Sequence, residues 1–161
     1  MKRKLFIIGL ACSLLLAATV VNAQTRSAIP IYEYYNNTYA KHFYTTNYAE
    51  LGSGSGGWAY VGILGYLYNQ FVSAPPGGST TVYRFYQGSS HAHYYTLNAS
   101  VYPSGFVYEG VMGYETSTPL YDPSNAPVYE FFNSSTGDYF YSKSSITPTG
   151  FHLNGVAYYA F

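Results

Sequence analysis

Three stretches of this chain repeat one another position by position, and that repetition limits the folds open to it more than any other feature. The first copy opens Ile31-Tyr32-Glu33-Tyr34-Tyr35-Asn36, the second Val82-Tyr83-Arg84-Phe85-Tyr86-Gln87, and the third Val128-Tyr129-Glu130-Phe131-Phe132-Asn133. About ten residues on come His42-Phe43-Tyr44-Thr45, His93-Tyr94-Tyr95-Thr96 and Tyr139-Phe140-Tyr141-Ser142. Each copy then closes on a glycine-aromatic pair and a second glycine: Gly57-Trp58 to Gly62, Gly105-Phe106 to Gly110, Gly150-Phe151 to Gly155. A fixed period of roughly 45 to 50 residues marks one supersecondary unit used three times.

Each unit carries four strand signals, in the first copy Ile31–Tyr35, His42–Asn47, Trp58–Val61 and Ile63–Tyr68. All are short, aromatic or β-branched, and bounded by Gly, Asn, Ser or Thr. Residues 24–161 hold no amphipathic helical stretch. The fold expected is all-β: a pseudo-threefold β-trefoil of three four-stranded repeats at about 31–68, 82–116 and 128–161. The alternative is a propeller completed by oligomerisation, because propellers need about four to eight blades to close. Gly62, Gly110 and Gly155 are expected at turns or bulges between the third and fourth strands. Pro75 to Ser79 and Ser117 to Pro127 read as connecting loops.

Residues 1–23 read as a secretory signal peptide, with Lys2-Arg3-Lys4 before an apolar run from Leu5 to Val21 and cleavage after Ala23. The apolar run is short for a membrane span. Residues 24–30 follow as a leader, and 31–161 form a single three-repeat domain. The only cysteine, Cys12, lies in the signal, so the remainder has no disulfide and depends on its own core. Aromatic residues make up 20% of the chain, which supplies the bulk for that core. Past the signal peptide, Arg26, Lys41, Arg84 and Lys143 face seven carboxylates, so no basic stripe for nucleic acid exists.

The aromatic first strand, the His42-Phe43-Tyr44-Thr45-Thr46-Asn47 strand and the Gly-aromatic-x-Tyr-x-Gly closure together resemble a repeat family of secreted bacterial and fungal proteins. That family is a domain of uncharacterised function, often appended to secreted hydrolases. His93 to Asn98 keeps the pattern with two changes, and Gly137 to Ser142 replaces its histidine with Tyr139. The resemblance covers 31–161 and implies a module that binds a polymer, often a glycan.

Strand alternation sorts the aromatic side chains. Position 33 is charged in every copy (Glu33, Arg84, Glu130), so that face is expected in solvent and Tyr32, Tyr83 and Tyr129 in the core. On the second strand His42 and Tyr44 share a face, as do His93 and Tyr95, and Tyr139 and Tyr141. Rings combined with polar tips suit sugar stacking, so these six residues are the candidate ligand contacts. The competing expectation is that their polar atoms only satisfy loop backbone.

His91-Ala92-His93 offers half a metal site, but no third ligand recurs in the other copies, so no metal or cofactor is assigned. No catalytic residues are assigned either. Glu33 and Glu130 correspond to Arg84, so no repeated carboxylate pair marks glycoside hydrolysis. Asn36, Asn98 and Asn133 begin glycosylation-type triplets but are expected to be turn residues. The function expected is a secreted, non-catalytic, lectin-like module, the alternative a structural or protein-interaction protein of the cell surface. Partner, sugar and oligomeric state are not written in the sequence.

Overall fold

The computed structural model describes residues 27–69, 78–116 and 125–161. The signal peptide, Cys12 and the greater part of both connecting loops lie outside the described residues. The first copy comprises β1 (Ala28–Asn36), β2 (Lys41–Thr45), the two-residue β3 (Gly54–Ser55) and β4 (Trp58–Tyr68). The second comprises β5 (Thr80–Gln87), β6 (Ala92–Thr96) and β7 (Val107–Glu115), and the third β8 (Ala126–Asn133), β9 (Asp138–Ser142) and β10 (His152–Ala160). One 3₁₀ turn, Tyr48–Glu50, is the sole helical piece among the described residues, capped by the Asn47 side chain. No helix among them is long and apolar enough to cross a membrane. The fold is all-β.

In every copy the first strand is central and antiparallel to both neighbours: β2-β1-β4, β6-β5-β7 and β9-β8-β10. The copies meet in a cycle, since β2, β6 and β9 touch pairwise. The far ends of the third strands also meet. Tyr68 pairs with Tyr114. Tyr66 and Phe161 exchange two backbone hydrogen bonds of 2.8 and 3.2 Å. The Tyr159 N–H donates to the Glu115 carboxylate at 3.1 Å. The strands of copies one and two thus form one seven-stranded sheet and those of copy three a second of three, together a nearly closed, barrel-like arrangement around one pseudo-threefold axis.

The expected third and fourth strands of each copy do not form as two. Trp58–Val61 and Ile63–Tyr68 are one continuous strand, β4, and the same holds for β7 and β10. Each third strand instead carries two bulges against the first. In copy one, Leu64 and Val61 are the extra residues, and Gly62 between them faces Glu33. Met112 and Glu109 do the same around Gly110, and Ala157 and Asn154 around Gly155. A bulge adds a residue and bends the strand without ending it. The strand starts differ too: β1 begins at Ala28, so Ala28 to Pro30 of the expected leader pair with Tyr66 to Tyr68, and Pro127 lies within β8.

The double bulge also breaks the expected alternation. The buried hydrophobic residues of the first strands are Ile31 and Tyr34, Val82 and Phe85, Val128 and Phe131, three apart rather than two. Tyr32, Tyr83 and Tyr129 are only half-buried. The charged position, expected in solvent, turns toward the interior: Glu130 is 8% exposed, and the Glu33 and Arg84 side chains 14% and 16%. The extra residue of the bulge is what meets it, Glu109 reaching Arg84 and Asn154 reaching Glu130.

Candidate functional site

The tyrosine at the centre of each second strand builds the axis. Tyr44, Tyr95 and Tyr141 are buried, with ring centroids 5.1 to 5.6 Å apart and planes crossing at 84° to 88°. Each phenol bridges the backbone of the next copy. The Tyr95 hydroxyl donates to the Tyr44 carbonyl at 2.7 Å and accepts from the Tyr44 N–H at 2.8 Å. The Tyr44 hydroxyl does the same to Tyr141, both at 3.0 Å. Tyr141 accepts from the Tyr95 N–H at 3.0 Å and donates to Glu130 at 3.0 Å. Burial pushes all three phenols well above their ordinary pKa. Their tips are committed to the fold, so the reading of Tyr44, Tyr95 and Tyr141 as sugar-stacking contacts on an open face does not stand. Two-residue alternation carries no information about which face of a five-residue strand meets an axis.

The other three candidates sit at the seams between copies. The imidazole of His93 packs on Tyr86 of its own copy and on Phe43 and Trp58 of copy one, at 4.7, 4.5 and 6.2 Å between centroids. His42 is boxed in the same way by Tyr35, Phe140 and Phe151, and Tyr139 by Phe132, Tyr94 and Phe106. The glycine before the boxing aromatic makes this close approach possible. Gly57, Gly105 and Gly150 all have φ of +84°, and a Cβ there would meet the amide of Asn36, Gln87 or Asn133 at 2.7 to 3.3 Å. A left-handed backbone in contact with a neighbouring side chain favours glycine.

Beside the His93 box lies an open groove of about 250 Å³ between copies one and two. Its walls are the rings of Tyr39, Phe43, Trp58 and Tyr86, with Leu51, Glu50, His91 and His93 completing it. Tyr39 stacks on His91, centroids 3.9 Å apart and planes 16° from parallel, and the Tyr86 hydroxyl meets His91 Nδ1 at 3.1 Å. His91 is not on the strand with His93 but in the turn before it, at φ +56°. Its counterparts are Ala40 at +52° and Gly137 at +69°, so the turn demands this conformation and the imidazole is held in it by its two tyrosines. A smaller groove of about 170 Å³ occupies the matching place between copies three and one, bordered by Tyr35, His42, Asp138 and Phe151.

The two seams differ in charge. In the first, Arg84 takes Glu50 through two hydrogen bonds of 3.0 and 3.2 Å and Glu109 at 2.9 Å, its guanidinium 5.1 Å above the Phe43 ring. Burial, together with the positive charge of Arg84 and the proximity of His91, lowers the His93 pKa to about 3. His93 therefore stays neutral at ordinary pH. In the second, His42 Nδ1 lies 2.6 Å from Asp138, its backbone N–H donates to the same carboxylate, and Lys41 donates to the Thr136 carbonyl. Burial raises Glu33, 4.0 Å from the His42 ring, above the usual carboxylate range.

Sequence reasoning found His42, His93 and Tyr139, and the structure places each in a seam. It missed Tyr39, Glu50 and Trp58, and weighed His91 only as half a metal site; all four reach the first groove from turns and a neighbouring strand. Trp58 had a signal of its own, as the one tryptophan in the chain and at a repeated aromatic position. The triplet asparagines brace turns with their side chains, Asn36 and Asn133 from the last positions of β1 and β8: Asn36 accepts from Thr38 and Tyr39, Asn98 from Ser100, and Asn133 from Ser135 and Thr136.

Comparison with curated proteins and with solved structures gives no match. A family model does match, twice, over residues 16–100 and 81–161. The two matches overlap on the opening of copy two, so the model's unit is longer than one copy of this repeat. They span nearly the whole chain, and the protein belongs to the family described as a domain of unknown function (DUF5648).

Proposed function

We propose that this protein is an exported, non-catalytic module that binds carbohydrate in the groove between its first and second copies. The observation that carries the reading is the wall of four aromatic rings, Tyr39, Phe43, Trp58 and Tyr86, next to polar groups of Glu50 and His91. Ring faces stack on the C–H faces of sugars, and a few polar atoms at the edge select hydroxyl orientation. The matching groove at His42 adds a second, more polar place on the same molecule, so a polymer with repeated units gains avidity. The signal-peptide pattern at residues 1–23 supports export.

A glycan array probed with residues 24–161 tests the reading. Saturable binding to a defined oligosaccharide is expected, and titration of that sugar should change the fluorescence of Trp58, the single tryptophan. Tyr39→Ala removes one wall from a side chain that is 40% exposed. It should weaken binding about tenfold, or roughly 1.4 kcal/mol, while stability moves by under about 0.5 kcal/mol. A blank array would sink the reading.

A second reading, protein interaction at the cell surface, is favoured by exposed apolar side chains at matching places on the third strands: Tyr60 and Ile63, Tyr108 and Val111, Leu153 and Val156. Its signature would be a blank array together with one partner protein bound stoichiometrically.

A further inference from the structure

A cavity of about 290 Å³ lies between copies two and three, away from the aromatic groove. Copy two contributes Tyr94, Tyr95 and Thr96 to it, and copy three Glu130 and Asn154. Glu130 is 8% exposed, and the groups that hold it are both neutral: Asn154 Nδ2 at 2.7 Å and the Tyr141 hydroxyl at 3.0 Å. A buried carboxylate ordinarily has a cationic partner.

The pseudo-equivalent cavity between copies one and two shows what such a place accommodates. There Arg84 stands where Glu130 stands, Glu109 replaces Asn154, and Phe43 replaces Tyr94. The Arg84 guanidinium is seated between the Glu109 carboxylate at 2.9 Å and the face of Phe43 at 5.1 Å. Charge-assisted hydrogen bonds and the ring quadrupole act on it together. The cavity between copies two and three keeps an anion, Glu130, and a ring, Tyr94 of copy two, and the Glu130 position supplies no guanidinium.

We propose that the cavity between copies two and three binds a small organic cation, a guanidinium or ammonium group on a short apolar stem, seated between the Glu130 carboxylate and the Tyr94 ring. Between copies one and two, Arg84, Glu109 and Phe43 bring the same three kinds of group together, with the cation supplied by the wall itself. The site is independent of the carbohydrate reading.

The test uses n-propylguanidinium, which reproduces the arginine side chain, against n-propylurea, its neutral isostere. Both are titrated at neutral pH and fixed ionic strength into ¹⁵N-labelled protein. The cation is expected to shift the amide signals of Thr96, Glu130 and Gly155 saturably, and the urea to bind at least tenfold more weakly. Glu130→Gln should lose at least tenfold in affinity for the cation with the remaining spectrum unchanged. If that variant fails to fold, Tyr94→Leu supplies the second measurement, with a loss of about threefold to tenfold expected. Equal shifts from cation and urea, no saturation by the cation, or full affinity in a folded Glu130→Gln protein would each overturn the proposal.

Discussion

A tyrosine hydroxyl that both donates to and accepts from one neighbouring backbone cannot be removed without stranding two groups at once. Tyr95→Phe keeps the ring and its packing but leaves the buried Tyr44 N–H and carbonyl without that partner. Each stranded buried group costs about 1–3 kcal/mol, so a loss of roughly 2–6 kcal/mol is expected in urea unfolding. Truncation of half-buried Tyr83, by contrast, should cost less than truncation of Phe85, which is 1% exposed. His93 gives a pH signature. Its folded pKa of about 3 lies below the usual histidine value, so the unfolded chain binds the proton more readily. Its contribution is complete above about pH 6.5 and drains away as pH falls toward 3. His93→Gln should flatten the decline in melting temperature between pH 6.5 and 4.5; an unchanged slope would show that other groups set it. The positions of these residues were legible from equivalence between copies, because only repeated positions can meet around an axis. Their roles were not, because Tyr95 and His93 each take decisive partners from another copy, Tyr44 and Phe43, some 50 residues away.

Among the elements, the third strand departs most from what local pattern foretells. Its Gly-centred middle reads as a turn or a bulge between two strands, and β4, β7 and β10 run straight through it with two bulges each. Sequence shows that a glycine interrupts the strand; it does not show whether the chain reverses there, since that depends on which residues of the first strand lie opposite. The bulges in turn shift the burial phase and carry the charged position inward, which is why Glu33, Arg84 and Glu130 were misplaced. Two glycine substitutions separate the kinds of glycine. Gly105→Ala puts a side chain at φ +84° with its Cβ 2.7 Å from the Gln87 amide, and a cost of about 1–2 kcal/mol is expected. At Gly62 a Cβ meets nothing within 4 Å and φ is not in the left-handed range, so Gly62→Ala should change stability by under about 0.5 kcal/mol. Thermal melts of the pair check the contrast, and equal losses would contradict it.

At the scale of the molecule, no copy is complete alone. Each second strand satisfies its neighbour's backbone, and the third strands lock at Tyr68–Tyr114 and Tyr66–Phe161. A chain ending at residue 124 would leave Tyr44 and Tyr95 facing an open axis, so it should give a collapsed or unfolded spectrum by nuclear magnetic resonance, whereas a well-dispersed spectrum would show that two copies suffice. The threefold plan and the all-β class were written in the repeat itself; the closure of the ring was not, because it rests on contacts between residues as far apart as Tyr66 and Phe161. Both kinds of cavity open at joints between copies and draw their walls from two copies each. Whatever settles in one therefore acts as a rivet: its binding energy adds to the free energy holding the ring shut, and resistance to heat or proteases becomes a gauge of occupancy.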